Sequence, residues 1–597
     1  MIACGRGFVV ARPQVPAMVP FLWRETDRFS CETIPPDAPL GTEDLFQLGS
    51  WRYLMIAVGW TWRLFGVSWS ALGPLFAVLF GATIAALYCV FRLGMNPVLA
   101  AAGAVALSFS AMHLRYLLVL RDYTKAPLTL ALMVVLGLLV TSGATWKRTL
   151  WLAAGYGAIL GFGYGFRTDF IADVPVFFIT LFAFLSGGIS RNMRLKLAAA
   201  AVCIVSFLIV AWPVLSTLNR ARHGCEWHVV LMGFAQSFAA PMGVELAPYE
   251  LNREYLDEYA YANVTSYAAR LRPGVGHIEY CSPQHGAVTQ AYLIEALRRF
   301  PADFILRAYA SVRRIVELPF TDRANEPVDD QIAHNRAYGI GLPIVVAAIL
   351  LAASTNLRVG LFMLFFVLYF GAVPATQFDA RHFFHLEFIA LWAAGFLLQA
   401  AITHVPAAWR DRGWPIAWPA LVRAAAVLAA CVAAMAATLW IARAYQQPVA
   451  RSFLSEYLAA AREEVPMGHG QTNGSQPAVR VAPHTDPETA DFVVVDLDAS
   501  RCGEHATVGF RYEDAKRQQF SRVFQVGRDS TAAGPTHIFM PIYGGFGRIE
   551  FDDAPPGCVL GVFRVRDASR FSMLLEVMLR PGWRRAPLYQ RFHTSRS

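Results

Sequence analysis

Residues 197–217 read LAAAAVCIVSFLIVAWPVLST, an apolar run without a charged side chain. A helix of this length spans roughly 30 Å, the thickness of the hydrocarbon core of a bilayer. The run follows a basic segment that contains Arg191, Arg194 and Lys196. Basic residues beside a membrane helix are typical of its cytoplasmic end. The stretch therefore predicts a membrane-spanning helix that begins in the cytoplasm and ends on the outer side.

Other segments of the chain have the same apolar character, which predicts an α-helical polytopic membrane protein with about ten transmembrane helices. The predicted spans are 71–91, 97–114, 126–142, 149–166, 170–188, 197–217, 338–354, 357–375, 383–403 and 416–443. Basic residues of the connecting loops fall on alternate turns, as cytoplasmic loops should. These residues are Arg92, Lys147, Arg148, Arg191, Arg194, Lys196, Arg358, Arg410 and Arg412.

Composition excludes several classes of protein. Hydrophobic residues make up 56% of the 597 positions and the mean hydropathy is +0.40, which an ordinary soluble domain does not reach. The formal charge of +9 is spread over short loops instead of one basic stripe, so we expect no nucleic-acid partner. Arginine greatly outnumbers lysine, as in proteins of GC-rich bacterial genomes. We therefore expect a multi-pass protein of a bacterial inner membrane, with membrane lipids around it.

The N-terminal segment 1–70 is predicted to lie outside, which raises a question about how it reaches that side. Arg6 and Arg12 flank an apolar run that is broken by several prolines, and residues 1–23 contain neither a signal peptide nor a sufficiently long span. We expect that a first transmembrane helix is missing from the sequence, which would bring the total to eleven. The alternative is that residues 8–23 insert as a re-entrant segment.

The predicted spans divide the chain into six parts. They are an outer N-terminal loop with a juxtamembrane helix (1–70), transmembrane helices (71–217), a large periplasmic loop (218–337), transmembrane helices (338–443), a linker (444–489) and a periplasmic domain (490–597). The periplasmic domain consists of short β-branched and aromatic runs that are separated by Gly, Pro and Asp turns. This pattern predicts an all-β sandwich. Its predicted strands are Phe492–Leu497, Thr507–Tyr512, Val523–Val526, His537–Tyr543, Arg548–Phe551, Val559–Val565 and Leu574–Leu579.

Four cysteines lie in segments that are predicted to be periplasmic. Cys225 and Cys281 lie in the large loop, and Cys502 and Cys558 lie in the C-terminal domain. An oxidising periplasm favours disulfides between such residues, although the sequence leaves their pairing open. No Cys/His spacing matches a zinc site.

Ionisable residues gather at four predicted outer ends of helices. An ionised side chain near hydrocarbon costs several kcal/mol unless it is paired or faces water, so such residues indicate function. The four clusters are Arg24 to Asp27 with Glu32, Asp37, Glu43 and Asp44; His113 to Arg115 with Arg121 to Lys125; Arg167 to Asp169 with Asp173; and Gln377 to His382 with His385 and Glu387. Any one cluster is equally well explained by a helix cap or a local salt bridge. Four clusters on one predicted face favour a shared chemical site.

The region 24–443 resembles the GT-C superfamily of membrane glycosyltransferases, which contains protein O-mannosyltransferases and bacterial lipid A aminoarabinose transferases. Residues 50–66 are similar to the superfamily's juxtamembrane helix, which ends in Leu-Phe-Gly before the second span. The motif Gly163 to Arg167 resembles the arginine-bearing end of a mid-protein helix, and Phe378 to His382 resembles the late Arg-Tyr or Arg-His element. The chain departs from the superfamily in lacking the first helix.

The resemblance implies an inverting transfer of a sugar from a polyprenyl-phosphate donor to a lipid, glycan or protein acceptor. Such a reaction needs a carboxylate base for the acceptor hydroxyl. In the superfamily the catalytic acid closely follows the first helix. The resemblance therefore implies that Asp27 is the base, with Glu25 as its near neighbour. Asp44 and Glu43 are the next candidates, and Asp122 is a second carboxylate that would orient the acceptor or the base.

The same resemblance implies cations that stabilise the departing phosphate. Arginine suits this role because its planar fork donates two hydrogen bonds to phosphate oxygens. The candidates are Arg121, Arg167 and Arg381, supported by Lys125 and His382. Some superfamily members use a divalent metal such as Mg or Mn, and others use none; no ligand set in this sequence decides between these cases.

Two other functions remain open at this stage. A transporter or flippase of lipid-linked glycans would place the same charges along a translocation path, although it would be expected to show internal repeats and charges near the mid-membrane. A non-catalytic homologue would keep the architecture without the activity. Charges at one predicted face, a long outer loop and an outer domain favour the transferase.

Overall fold

The computed structural model describes residues 2–7, 15–37, 45–187, 190–221, 224–272, 274–317, 339–411, 418–466, 478–481, 490–527, 534–567, 571 and 573–593. The chain forms two compact units. The first, here called the helical unit, comprises Met1–His223, Ser311–Pro374 and Asp379–Cys431. The second, the mixed unit, comprises Gly224–Ala310, Ala375–Phe378 and Val432–Ser597.

Long apolar helices make up most of the helical unit. The helices of this part of the chain are Met18–Leu22, Leu45–Ser50, Arg52–Phe65, Gly73–Arg92, Pro97–Ser108, Ala111–Leu117, Leu120–Tyr123, Lys125–Thr141, Trp146–Tyr164, Asp173–Ile179, Met193–Ala221, Gly341–Thr355, Leu357–Ala372, Ala380–Phe383, Phe388–Asp411 and the first part of Trp418–Ala459. Short 3-10 turns at Cys31–Thr33, Ser70–Leu72, Thr168–Ala172, Val373–Thr376 and Phe384–Leu386 connect several of them.

Six helices in the described ranges are long and apolar enough to cross a membrane. They are Ser70–Arg92, Leu120–Thr141, Met193–Ala221, Leu357–Thr376, Ala380–His404 and Trp418–Ala459. Pro97–Ser108 and Ala111–Leu117 add a seventh span if the pair, bent by 57°, is taken as one. The protein is therefore a multi-pass membrane protein. The number of ten spans remains a prediction.

The predicted span 170–188 has a shorter regular helix than the sequence suggests. It starts with the 3-10 turn, continues as Asp173–Ile179 and ends in the π-helical turn Thr180–Phe184. The helix from Asp173 to Phe184 is about 18 Å long at 1.5 Å per residue, which is less than the hydrocarbon thickness. Lys196 and Arg358 donate to the carbonyls of Phe182 and Phe184, both at 2.7 Å.

The predicted juxtamembrane helix is present as Arg52–Phe65. It ends at Gly66, whose φ of 92° is one that a residue with a side chain rarely adopts. The exposed side of this helix is apolar, since Trp60, Leu64 and Phe65 are all at least half exposed. An exposed aromatic and aliphatic face is typical of a helix that lies in a membrane interface.

The described part of the N-terminal segment is folded onto the loop that follows this helix. The backbone N–H of Phe29 donates to Val67 O and that of Trp69 donates to Asp27 O, both at 3.0 Å. Phe21 is almost completely buried, and its ring lies 5.4 Å from that of Trp69. These contacts give residues 15–37 a defined position in the helical unit, so Asp27 and its neighbours are carried by packed structure.

The mixed unit consists of helices and antiparallel sheets. Its helices are Glu226–Met232, Ala239–Met242, Asp257–Leu271, Pro283–Arg299 and the first part of Pro301–Val316. Its strands are β1 (Val244–Glu245), β2 (Tyr249–Glu250), β3 (Arg462–Glu464), β4 (Ala478–Arg480), β5 (Asp491–Leu497), β6 (Thr507–Tyr512), β7 (Arg522–Gln525), β8 (Thr536–Ile542), β9 (Phe546–Asp552), β10 (Val559–Val565), β11 (Glu576–Leu579) and β12 (Arg591–Phe592).

Two of the three sheets form a sandwich. One has the strand order β2-β11-β8-β5-β10-β3 and the other β4-β9-β6-β7, while β1 and β12 form a separate pair. In the larger sheet Val493 pairs with Met540. These side chains share a buried core with Phe510 and Ile549 of the smaller sheet. The seven strands predicted for the C-terminal domain correspond to β5 through β11.

The large loop and the C-terminal segment belong to the same unit. Strand β2, which lies in the loop, pairs with β11, and β3, which lies in the predicted linker, pairs with β10. The last long helix also continues through the start of that linker, to Ala459. Phe453 and Tyr457 of this helix are completely buried in the core of the mixed unit. The segments that the sequence treats as loop, linker and domain thus share one hydrophobic core.

A buried carboxylate joins four segments of the mixed unit. Asp303 accepts hydrogen bonds from the Tyr249 hydroxyl at 2.8 Å, from Gln446 Nε2 at 3.1 Å and from the backbone N–H of Gln590 at 2.7 Å. Burial raises the pKa of Asp303 to about 6, although these donors oppose the shift. The satisfied acceptor oxygens explain how a carboxyl group is accommodated in the core.

Three disulfides are formed. They join Cys4 to Cys31, Cys225 to Cys281 and Cys502 to Cys558. The second and third involve the four cysteines that the sequence singles out. The first was not anticipated, because the segment 1–23 was considered mainly as a possible membrane insertion. The free cysteines Cys89, Cys203 and Cys431 lie in apolar helices.

Candidate functional site

Four short structural elements of the helical unit bring together charged residues from three of the sequence clusters. They are the helix Leu120–Tyr123, the start of Lys125–Thr141, the 3-10 turn Thr168–Ala172 and the helix Ala380–Phe383. Each of these elements directly precedes or follows a longer apolar helix in the chain. Their polar side chains therefore lie near the ends of the long helices. The group of Asp122, Lys125, Arg167, Asp169 and His382 is called the charged cluster below.

Arg167 is the centre of the charged cluster. Its Nη1 donates to Asp122 Oδ1. Its Nε and Nη2 contact the two oxygens of Asp169 at 3.2 and 3.1 Å, which is the bidentate geometry that a guanidinium fork favours. Asp122 is only 1% exposed and Arg167 only 12%. One guanidinium therefore fixes two carboxylates that lie 47 residues apart in the chain.

Lys125 completes the charge balance of the cluster. Its Nζ lies 3.1 Å from Asp169 Oδ2, the oxygen that Arg167 Nη2 also contacts. Desolvation alone would raise the pKa of the Asp169 carboxyl, but Arg167 and Lys125 hold it below its usual range. Two cations thus face two carboxylates. The cations predicted to bind phosphate here are already paired within the protein.

His382 contacts the other side of the same guanidinium. Its Nδ1 lies 3.5 Å from Arg167 Nη2, which can only donate. Nδ1 is then the acceptor, and the neutral ring carries its proton on Nε2. This Nε2 and Asp122 Oδ2 are both buried without a hydrogen-bond partner among the described residues. The charged cluster therefore retains one donor and one acceptor that no described residue satisfies.

Arg121 and Arg381 lie at the edge of the charged cluster. Arg121 is 44% exposed; its Nε is 3.7 Å from Asp122 Oδ1, and its guanidinium is 5.5 Å from the Trp51 ring. Arg381 instead contacts Asp379 at 3.4 Å, and Asp379 also caps the short helix that carries Arg381.

A second polar group lies nearby in sequence and is more deeply buried. Ser110 donates to the carboxyl group of Glu387, and the two side chains are 3% exposed or less. Ser110 lies at the 57° bend between the helices Pro97–Ser108 and Ala111–Leu117. Because the helix is interrupted at this bend, the Ser110 hydroxyl can donate to Glu387 instead of to a carbonyl of its own helix. Sequence analysis noted Glu387 without a partner for it.

Asp27, the predicted base, lies in a separate pocket of the helical unit. The pocket is lined by Arg24, Asp27, Trp69, Phe76 and Leu118. Asp27 Oδ1 accepts from the Ser70 N–H at 3.2 Å and Oδ2 accepts from the Ser70 hydroxyl at 3.1 Å. Each carboxylate oxygen can accept more than one hydrogen bond. The carboxylate is therefore held in place, exposed and able to bind a further hydroxyl group.

The pocket and the charged cluster are linked through one short segment. Leu118 lines the pocket, and Arg121 and Asp122 follow within four residues. The Cα atoms of Leu118 and Arg121 are then at most about 11 Å apart. No hydrogen bond or ion pair described here joins Asp27 to the cluster. Asp27 and Asp122 occupy neighbouring sites, and their direct cooperation remains a proposal.

The other predicted acids have different outcomes. Glu25 is exposed next to Arg24 and has no described side-chain partner. Glu43 and Asp44, the next candidates for the base, lie outside the described residues. Asp169 was assigned no catalytic role, and a local salt bridge with Arg167 was the alternative explanation of its cluster; the structure contains this salt bridge. Its spacing of two residues from Arg167 was the available signal, because this spacing allows both side chains to meet at a turn.

The described residues offer no arrangement of three or more His, Cys, Asp or Glu that suits a metal ion. In the charged cluster, Asp122 and Asp169 already bind Arg167, and Lys125 lies beside them. These cations would repel a divalent ion. The donor set therefore does not fit the Mg or Mn that some GT-C enzymes use, and no step below depends on one.

Comparison with known proteins gives limited information. No protein-family model and no curated protein sequence matches the chain. Among solved structures, the chain is similar to ArnT from Cupriavidus metallidurans in the apo state, with 13% sequence identity over 61% of this chain and 69% of that chain. The TM-score is 0.24. A likeness of this degree supports no statement about chemistry.

Proposed function

We propose that this protein is a membrane glycosyltransferase that moves a sugar from a polyprenyl-phosphate donor to a hydroxyl-bearing acceptor. The observation that carries the proposal is the pocket that Asp27 and Arg24 line together with the apolar side chains of Phe76 and Leu118. A carboxylate base, a cation and an apolar wall are what transfer from a lipid phosphate requires. The GT-C-like motifs of the sequence point to the same reaction.

Asp27 is the proposed base. Its carboxylate would take the proton of the acceptor hydroxyl while the hydroxyl oxygen attacks the anomeric carbon of the sugar. The new bond to carbon forms as the bond between that carbon and the phosphate oxygen breaks, and the phosphate leaves with the electron pair. A single displacement of this kind inverts the anomeric centre. Ser70 keeps Asp27 in one orientation, which reduces the reorganisation needed during the step.

Arg121 and Asp122 are proposed to assist from the neighbouring charged cluster. Arg121 is long and 44% exposed, and its Cα is at most about 11 Å from that of Leu118 in the pocket wall. We propose that it contacts the leaving phosphate. Asp122 is held by Arg167 and has one unsatisfied oxygen, which suits it to orient a hydroxyl group. Lys125, Arg167 and His382 hold this arrangement.

The pairing of cysteines supports an outer location for the site. All six disulfide cysteines lie in segments that the sequence places in the periplasm, whereas the three free cysteines lie in predicted spans. Disulfides persist in oxidising compartments. The Cys4–Cys31 bond closes the segment that carries Arg24 and Asp27. The proposed acceptor is therefore a periplasmic glycan, lipid or protein.

A transfer assay tests the proposed activity. The purified full-length protein, reconstituted in nanodiscs, is incubated with decaprenyl-phosphate-linked mannose, glucose or 4-aminoarabinose, each labelled in the sugar, and with a bacterial envelope extract as acceptor. Time-dependent movement of label from the donor to an acceptor is expected with at least one donor. Binding without any transfer or hydrolysis would favour the non-catalytic alternative, and movement of intact donor across the membrane would favour a flippase.

Reporter fusions test the proposed orientation. Fusions of a cytoplasm-active reporter after residues 145, 193 and 410 are expected to be active, because basic residues flank these positions. A fusion after residue 593 is expected to be active only with a periplasm-active reporter. A cytoplasmic signal from the latter would place the disulfide-bearing segments on the wrong side and contradict the proposal.

A further inference from the structure

We infer that Arg24, in addition to Arg121, is a phosphate-binding residue of the site and that it recognises the phosphate of a membrane-resident lipid. The inference rests on the proposed function but names a residue and a ligand group that the reaction alone does not assign. Arg24 lines the same pocket as Asp27. Four observations support it: its free charge, its orientation by a tryptophan, its backbone conformation and its apolar surroundings.

Arg24 differs from the cations of the charged cluster because its charge is not neutralised. In the described part of the chain its guanidinium has neither a hydrogen bond nor an ion pair with a carboxylate, and the side chain is exposed. Arg167 and Lys125, in contrast, are paired with Asp122 and Asp169. A phosphate that binds Arg24 displaces only water. A phosphate that binds Arg167 must compete with two carboxylates.

The guanidinium of Arg24 is oriented before a ligand binds. Its central carbon lies 4.7 Å from the centre of the Trp69 ring. Trp69 is itself fixed, because its indole N–H donates to Phe21 O at 2.7 Å. Stacking uses one face of the guanidinium and leaves the N–H groups on its edge able to donate in the plane. Bidentate recognition of phosphate uses the same edge.

The backbone at Arg24 is held in a conformation that arginine rarely adopts. Its φ is 62°, in the left-handed region, where residues other than Gly, Asn and Asp are uncommon. The turn is closed by hydrogen bonds from the N–H groups of Arg24 to Phe21 O at 3.1 Å and of Glu25 to Pro20 O at 2.9 Å. Strain of this kind is concentrated at ligand sites. Glycine at this position would fold more easily and lack the cation.

The surroundings of Arg24 favour a lipid phosphate over a soluble one. Leu22, Trp23 and Leu118 are respectively 42%, 75% and 65% exposed, and Phe76 lines the pocket. Exposed apolar and aromatic side chains near an arginine are characteristic of a protein surface that lies at the level of lipid headgroups. A phosphate attached to an isoprenoid chain satisfies both the cation and the apolar surface.

Binding of sugar-free decaprenyl phosphate to the full-length protein in nanodiscs tests the inference. Arg24→Ala is expected to raise the dissociation constant at least 10-fold, and Arg24→Lys to raise it by an intermediate factor because lysine keeps the charge but loses the planar fork. Arg24→Gly should give the same loss as alanine while relieving the backbone strain. It therefore keeps the test valid if the alanine variant folds poorly. Inorganic phosphate, as a competitor, distinguishes a lipid from a soluble ligand.

Arg63→Ala is the matched control. Arg63 also stacks on a tryptophan, with its guanidinium 5.1 Å from the Trp60 ring, but it does not line the pocket. Its loss should change the dissociation constant less than 2-fold. Equal affinity of wild type and Arg24→Gly for decaprenyl phosphate would overturn the inference, as would equally tight binding of inorganic phosphate. Wild type that binds decaprenyl phosphate but transfers no sugar would contradict the proposed function and leave this inference intact.

Discussion

Replacing Asp27 with asparagine is expected to lower the rate of sugar transfer about 10²- to 10⁴-fold, the range that general base catalysis contributes. Asparagine has nearly the same shape and can still accept from the Ser70 N–H and hydroxyl, so the pocket should remain folded. It cannot take a proton from the acceptor. The rate is measured with the labelled donor that the wild-type protein uses, at saturating donor concentration.

Asp37→Asn is a suitable control for this experiment. Asp37 is an exposed acid in the same N-terminal segment and does not line the pocket. Its replacement should leave transfer within about 2-fold of wild type, as expected of a surface substitution away from the site. Binding of decaprenyl phosphate should be nearly unchanged in both variants. An Asp27→Asn protein that transfers sugar at the wild-type rate would remove Asp27 from the mechanism and shift attention to Asp122.

Replacing Arg167 with leucine is expected to produce the largest loss of stability. The change removes the closest cation of Asp122, which is 1% exposed, and leaves only the partly exposed Arg121 at 3.7 Å. Breaking a buried ion pair by removing one partner typically costs about 3 to 5 kcal/mol, because the remaining charge is buried and uncompensated. The loss is measured as a decrease in the free energy of unfolding of the detergent-solubilised protein.

Two further variants separate this effect from a general loss of packing. The double variant Asp122→Leu/Arg167→Leu should be more stable than Arg167→Leu alone, since it removes the uncompensated carboxylate. Asp169 keeps its contact with Lys125 in both proteins. Arg591→Ala should cost less than about 1 kcal/mol, because its ion pair with Glu245 is exposed. If the double variant is less stable than Arg167→Leu, the broken ion pair is not the reason for the loss of stability.

The sequence indicated which charged residues lie in one region, but it did not indicate which of them form ion pairs with each other. Charges at the ends of predicted helices indicated a shared site, because an isolated charge is costly beside hydrocarbon, and the structure brings Asp122, Lys125, Arg167 and His382 into one cluster. The pairing depends on side-chain geometry across segments distant in the chain, which periodicity does not encode. Arg381 illustrates this limit, since it contacts Asp379, the residue that caps its own short helix.

Patterns of hydrophobicity were informative for regular elements and uninformative for short ones. The strands β5 to β11 have alternating or β-branched residues over several positions, and the sequence located them. Strands β2 and β3 have two and three residues, too few to show a period of two. These short strands join the large loop and the linker to the main sheet. Their absence from the sequence interpretation explains why three segments of one unit were treated separately.

The internal neutralisation of the charged cluster has a consequence for comparisons between homologous chains. Asp122, Lys125, Arg167 and Asp169 satisfy one another, so selection for folding alone is sufficient to retain them. The side chains of Asp27 and Arg24 are exposed and contact only Ser70 and Trp69 among the described residues, so ligand binding or catalysis gives the stronger reason to keep them. A descendant that had lost its enzymatic role would therefore retain the cluster while its pocket acid and arginine drifted, and these two positions are the ones that would distinguish working enzymes from inactive relatives.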